Sequence, residues 1–226
     1  MERAIDAVLF DLDGTLVDSL PAIAAAMTRV LATHGFEIDD AQLVPMVGPP
    51  MELIARQLGF PPEEAARISE EYLRLYRAEY VRQTPELPGA TALLERLATA
   101  GIPLGVVTNK VESSAREVLR ALDWTKRFGA IIGRDTPGGA AKPEPDSALL
   151  ALSILSIAPD RAAFVGDTEF DVYCARDAGV RTIVALDGNR DAAFLRAEGA
   201  THLVHSLDEV GDLLLGTLTA TTEARS

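Results

Sequence analysis

From residue 88 onward the chain alternates between two patterns. Short apolar runs at 102–107, 130–132, 162–165 and 182–185 are separated by stretches with helical patterning, including 90–100 and 112–122. A further apolar run, 5–10, ends in a cluster of Asp and Gly. Such runs read as buried strands. Strands that alternate with helices build βαβ units, and these assemble into a parallel sheet with right-handed crossovers. The expected fold class is therefore α/β, with a Rossmann-like parallel-sheet core.

Between the first strand and residue 88 the pattern is different. Pro21 opens a helical stretch over 22–33 that Gly35 stops. Helical patterning continues to about residue 86, with breaks at Pro45, at Gly48-Pro49-Pro50 and at Pro61-Pro62. Over 63–82 the residues Ile68, Tyr72, Leu75, Tyr76 and Tyr80 recur at helical spacing and predict one amphipathic face. The chain thus reads as an α/β core of residues 1–18 and 87–216, interrupted by a smaller all-helical domain over 19–86. The last ten residues, 217–226, are rich in Thr and Ala and read as a frayed tail.

Composition removes several classes of function. A chain of 226 residues can bury one large core or a core with a small insert. Its net charge of −13 argues against nucleic acid, whose phosphates are gripped by Lys and Arg. No apolar run reaches the eighteen or so residues of a membrane span. Glu2 and Asp6 break any secretory pattern at the N-terminus. The single cysteine, Cys174, permits neither a disulfide framework nor a thiolate metal cluster and reads as a buried structural thiol. A cytoplasmic location is the resulting expectation. Oligomeric state is not legible.

In open parallel sheets, ligands bind beyond the carboxyl ends of the strands. After the first strand comes Asp11-Leu12-Asp13-Gly14-Thr15, and after the second comes Thr108-Asn109. A Gly-rich loop leading to Lys142-Pro143 follows the third, and Gly166-Asp167-Thr168-Glu169-Phe170-Asp171 follows the fourth. Asp11 and Asp13, two apart on an extended segment, point to one side. Two carboxylates held together repel unless a cation or a proton sits with them. Mg²⁺ suits such a set, since it takes oxygen ligands and only one or two carboxylates. One carboxylate can then attack phosphorus while the other carries a proton. Gly14 permits a close backbone approach.

Each of these features also has a plain reading. An Asp-Gly pair can simply turn the chain, and Asp167 and Asp171 can be dipole partners of a first helical turn. Thr108 can be a strand-end hydroxyl without a role, and Lys142 a solvated surface lysine. The convergence of all four strand ends weighs against the plain readings. A chain with net charge −13 must also meet an anionic substrate through a local cation and a few placed donors. Lysine is scarce for this purpose, with only Lys110, Lys126 and Lys142.

The segments FDLDGTLVDS, VVTNK, AKPEPD and VGDTEFD together resemble the four motifs of haloacid-dehalogenase-superfamily hydrolases, notably phosphoglycolate-phosphatase-like members. The resemblance covers nearly the whole chain. It implies Asp11 as nucleophile and Mg²⁺ ligand, and Asp13 as general acid and base whose backbone carbonyl also touches the metal. Thr108 and Lys142 hold the transferring phosphoryl group. Asp167 binds the metal, and Asp171, grouped with the metal residues, supports the site. Gly14, Thr15 and Asn109 fall on substrate-contacting motif positions. The helical stretch 19–86 matches the family's cap, whose closure excludes water.

Departures from the family pattern narrow the choice. Dehalogenases of the superfamily lack the second Asp of the first motif, so Asp13 argues against that chemistry. Phosphonatases form a Schiff base through a cap lysine, and no lysine lies between residues 1 and 109. Sugar phosphomutases remain as the alternative to a phosphatase of small phosphate monoesters such as phosphoglycolate, nucleoside monophosphates or sugar phosphates. In the cap, Gly48 begins a stiff loop that either leans over the site or only joins two helices. Arg56, on the next helix, is a candidate for a substrate carboxylate or phosphate, alongside five other cap arginines. His34 reads as a satisfied histidine at a helix end.

Overall fold

The computed structural model describes residues 5–188 and 190–216. The chain begins with β1 (Ala7–Phe10), followed by α1 (Leu20–Thr33), α2 (Asp40–Leu43), α3 (Met51–Gln57) and α4 (Pro62–Glu79). The alternating part runs α5 (Ala90–Thr99), β2 (Leu104–Val107), α6 (Glu112–Ala121), β3 (Ala130–Ile132) and α7 (Asp146–Leu155). It closes with β4 (Ala162–Gly166), α8 (Glu169–Asp177), β5 (Thr182–Leu186), α9 (Ala192–Glu198), β6 (His202–Val204) and α10 (Leu207–Leu214).

The six strands form one parallel sheet in the order β3-β2-β1-β4-β5-β6. From β1 the chain winds outward to β2 and β3, then returns to place β4 on the other side of β1. That reversal between β1 and β4 is the topological switch point, where a crevice opens at the strand ends. Register is set there by Phe10 opposite Val165. β1, β2 and β4 are buried at every residue, as expected of strands covered by helices on both faces. Each fully buried Leu or Phe in such strands contributes on the order of 1.5–3 kcal/mol by leaving water.

The insert is helical, as its proline-broken pattern predicts. Pro21 sits in the first turn of α1, where a missing N–H costs nothing. Ile68, Tyr72 and Tyr76 of α4 lie one turn apart and are buried, while Leu75 and Tyr80 of the predicted face are half-buried. The helix expected over 63–82 stops at Glu79 and continues as a 3-10 turn, Val81–Gln83. Ile23, Met27, Ile54 and Ile68 of the insert share one apolar cluster with Phe10 and Val165 of the sheet. The insert therefore packs directly against the core. A second cluster, including Leu9, Phe164 and Cys174, fills the opposite sheet face.

Cys174 is buried as expected, and burial pushes its thiol up to about 12. The expected frayed tail, 217–226, lies outside the described residues. No helix among the described residues is long and apolar enough to cross a membrane.

Candidate active site

Pairing of β1 with β4 brings two strand ends side by side. The amide of Asp11 donates to the carbonyl of Val165 at 2.9 Å, extending the ladder one residue past β1. Asp11 and Asp167 then leave the sheet together. Asp171 joins them from the first turn of α8, and oxygens of the three carboxylates all lie within 4.8 Å of one another. All three residues are buried.

The support around this trio is specific. Lys142 Nζ stands 2.9 Å from Asp11 Oδ1 and 2.5 Å from Asp171 Oδ1. The ammonium thus bridges the two carboxylates. The other oxygen of Asp171 accepts from the Thr168 amide at 3.0 Å and the Thr168 hydroxyl at 2.7 Å, closing a capping box on α8. Asp171 is thus held on both oxygens by protein donors. Asp167 is held on only one, by Thr15 Oγ1 at 2.9 Å, and its Oδ2 has no hydrogen-bond partner among the described residues.

Gly14 explains the space beside that orphan oxygen. Its φ is +78°, and a Cβ added there would stand 2.4 Å from Asp167 Oδ2. Gly14 and Thr15 were expected among the substrate contacts. In the structure neither lines the cavity, and the Thr15 hydroxyl donates to Asp167.

Burial dominates the electrostatics. It raises Asp11 to about 7, with Lys142 opposing and Asp171 and Asp13 adding to the rise. Burial also pushes Asp167 well above its ordinary range, helped by Asp171 and Asp11. For Lys142, burial pulls down, but Asp11 and Asp171 more than compensate and hold it above its usual value. Three carboxylates facing one ammonium favour either a shared proton or a hard cation. The unpartnered Asp167 Oδ2 beside Asp11 is the vertex at which oxygen donors could meet Mg²⁺.

Asp13 does not join the trio through its side chain. Its Oδ2 lies 3.1 Å from Lys110 Nζ, and its Oδ1 accepts from Ser19 Oγ at 2.5 Å. Lys110 also rests 4.2 Å from the centre of the Tyr76 ring, on α4. Burial pulls the Lys110 ammonium down, yet Asp13, Tyr76 and Tyr72 hold it above its ordinary value. Two of the chain's three lysines are therefore buried against the two motif aspartates. Lys110 and Ser19 were quoted within the motif segments without a role. The scarcity of lysine is a signal that could have singled out Lys110.

Asp11 and Asp13 open onto a cavity of about 70 Å³ between sheet and insert. Thr108 and Asn109 line it at the end of β2, and Gly48 faces them from the insert. The Thr108 hydroxyl accepts from the Lys110 amide at 3.2 Å, which turns the backbone after β2. Gly48, at φ +142°, packs against Phe170, and its carbonyl accepts from Asn109 Nδ2 at 2.8 Å. The loop it begins therefore leans over the site rather than merely joining helices. Arg56 lies elsewhere. It is exposed on α3 and absent from the cavity wall, which α3 lines with Met51 and Ile54 instead. Arg134, two residues beyond β3, does line the cavity. Its place just past a strand end is the sequence signal for it, on the same loop that leads to Lys142.

Fold and site together define an α/β enzyme with an acid-lined cleft at the sheet's switch point, roofed by a helical insert. A family model described as haloacid dehalogenase-like hydrolase matches residues 8–185. A phosphoglycolate phosphatase of Xanthomonas campestris pv. campestris is 37% identical over 187 residues, covering 81% of this chain and 84% of that protein. The tyrosine-protein kinase PtkA of Mycobacterium tuberculosis is 33% identical over 214 residues, covering 92% of this chain and 72% of that one. Among solved structures, a predicted phosphatase from Clostridium acetobutylicum has a TM-score of 0.87 at 28% identity, covering 94% of this chain and 99% of that one. The chain belongs to the haloacid dehalogenase-like hydrolases, and it is an enzyme of the phosphatase type.

Proposed function

We propose that the protein is a Mg²⁺-dependent phosphatase of small phosphate monoesters, phosphoglycolate foremost, acting through an aspartyl phosphate on Asp11. One observation carries this reading. The Asp11 carboxylate is buried 2.9 Å from Lys142 Nζ, at a cavity also lined by Asp13, Thr108 and Asn109. The similarity to a phosphoglycolate phosphatase supports the choice of ester.

Asp11 and Asp167 would hold the cation, with the Asp13 carbonyl as a further oxygen and Asp171 behind them. Bound Mg²⁺ would neutralise the acid cluster and draw charge from the transferring phosphoryl group. The chain's own residues account for the remaining work. Lys142 and Thr108 hold phosphoryl oxygens, and Asn109 positions the loop between them. An Asp11 oxygen attacks phosphorus and the ester P–O bond breaks, with Asp13 supplying the proton that the leaving oxygen takes up. Asp13 then takes a proton from the water that hydrolyses the acyl phosphate and regenerates Asp11. Residues 19–86 serve as the cap over a core of 1–18 and 87–216, excluding bulk water during the first half. The partners of this reading are small phosphate esters, not nucleic acid, and its setting is the cytoplasm.

The test is phosphate release from phosphoglycolate, nucleoside monophosphates and sugar phosphates, with Mg²⁺ or with a chelator. Release that needs Mg²⁺ and vanishes in Asp11→Asn is the expected result. Absence of release from every ester, or full turnover in the variant, would sink the proposal. The similarity to a tyrosine-protein kinase favours a second reading, transfer of the phosphoryl group to an acceptor other than water. Phosphorylated acceptor without stoichiometric free phosphate would mark that reading; the sugar phosphomutase alternative, whose mark would be isomerised product, is not favoured.

A further inference from the structure

The cavity has two chemically distinct ends. At the catalytic end stand Asp11, Asp13 and Lys110, and the two latter side chains are already paired with each other. The insert's side is apolar, with Ile23, Met27, Met51, Ile54 and Tyr72 in the wall. One more charged residue lines the cavity, Arg134, reaching in from the loop after β3.

Arg134 is a cation with spare donors. Its Nη1 donates to the Asn109 carbonyl at 3.4 Å, and its backbone amide donates to the Lys110 carbonyl at 3.2 Å. Among the described residues the guanidinium has no ion-pair partner, whereas Lys110 and Lys142 each have one or more. It is half-buried, and loss of water pulls its pKa below the ordinary guanidinium value, with Asp135, Tyr72 and Glu52 opposing. A partly desolvated guanidinium gains from a planar anion that can take two of its N–H groups. A neutral leaving group would leave those donors without an anionic partner, which costs binding.

We propose that Arg134 is the specificity-determining anchor for a second anionic group on the substrate, a carboxylate carried by the alcohol half of the phosphate ester. The assignment rests on reading the cavity as a phosphate-ester site, and it names the class of ester. Selected substrates are short hydroxy-acid phosphates. Their phosphoryl end meets Asp11, Thr108 and Lys142, and their carboxylate reaches across the cavity to Arg134. The recognising cation thus comes from the core rather than from the insert, so it stays in place when the insert moves.

The closing experiment measures binding without turnover. 3-Phosphonopropionate carries a phosphonate and a carboxylate, and propylphosphonate replaces that carboxylate with a methyl group. Titration calorimetry in Mg²⁺ gives the ratio of their dissociation constants for the unaltered protein and for Arg134→Met. The expected result is a preference for the carboxylate of roughly ten- to a hundredfold that collapses towards unity in the variant. Arg134→Lys should retain part of it, because a point charge replaces a planar fork. No preference in the unaltered protein, or one that survives in Arg134→Met, overturns the anchor. Loss of affinity for both ligands by the same factor leaves the ratio intact and also overturns it. Phosphoglycolate hydrolysis is followed separately. Its absence with the binding preference intact would remove the phosphatase reading and keep the anchor.

Discussion

Asn109 donates through Nδ2 to the carbonyl of Gly48 at 2.8 Å, joining the loop after β2 to the helical insert. The same side chain grips the backbone of Lys142 on both sides. Its Oδ1 accepts from the Lys142 amide at 2.7 Å, and its Nδ2 donates to the Lys142 carbonyl at 3.2 Å. One amide group therefore connects the insert, the loop that carries Thr108 and the lysine beside Asp11. The backbone of Lys142 is set by Asn109, and its ammonium by Asp11 and Asp171.

Asn109→Ala should remove all three bonds while the sheet stays intact. A loss of about 1–3 kcal/mol in stability is expected, because buried backbone groups lose their partners. The larger effect should be kinetic, with kcat/KM for the best ester falling at least about tenfold as Lys142 drifts. Denaturant titration and steady-state kinetics give the two numbers. Unchanged kinetics would mean that the ion pairs alone position Lys142.

Metal dependence should itself depend on pH. Burial raises Asp11 to about 7 and Asp167 above its ordinary range. A raised carboxylate pKa means that its contribution to stability is complete below the unfolded value. That contribution is lost as pH rises through the folded value. The metal-free protein should lose this contribution between about pH 4 and pH 7, as buried charge accumulates. Mg²⁺ requires the ionised carboxylates and competes with those protons. The rise in melting temperature on adding Mg²⁺ should therefore be larger at pH 8 than at pH 5.5. A shift of equal size at both, or a larger one in acid, contradicts the assignment of the acid trio to a cation.

Gly14→Ala tests the packing beside Asp167. The new Cβ would fall 2.4 Å from Asp167 Oδ2, in a residue whose φ of +78° already disfavours a side chain. Strain of about 1–3 kcal/mol is expected, together with near-complete loss of Mg²⁺-dependent activity. Thermal melts and phosphate release measure the two. Wild-type activity in this variant would show that Asp167 can move aside without consequence.

His34 offers a second pH effect, confined to the insert. Its Nδ1 lies 3.2 Å from Glu64 and its Nε2 3.1 Å from Glu71, so the end of α1 is fastened to α4. Burial pulls its pKa down, but the two carboxylates pull harder and the net shift is upward. The stabilisation is therefore complete below the ordinary value of about 6.5 and fades as pH rises through the folded value. The melting temperature of His34→Gln should fall below that of the unaltered protein more at pH 5.5 than at pH 8.5. A gap that widens with pH would show that the histidine acts as a neutral packing group.

Much of the architecture was legible because its rules are local. Strands between helices imply a parallel sheet, and polar residues at strand ends imply a crevice, so Asp11, Thr108, Lys142 and Asp167 stood out. β6 did not, since three residues, His202–Val204, at a sheet edge carry too little pattern. The outward placement of Arg56 was not legible, because charge alone says nothing about which helix face meets a cavity. The bond from Thr15 to Asp167 was not legible, because it spans more than 150 residues of chain.

By itself, the sequence determined the class of fold, the helical insert and the residue types at each strand end, because spacing and composition carry that information along the chain. Tertiary structure alone decided the other pairings: Lys142 with Asp171, Lys110 with Asp13, Asn109 with Gly48, and Arg134 left over. Those choices follow from strand order and helix packing, which bring distant residues within bonding distance. They also exclude water, so that each buried charge must find a partner or a ligand.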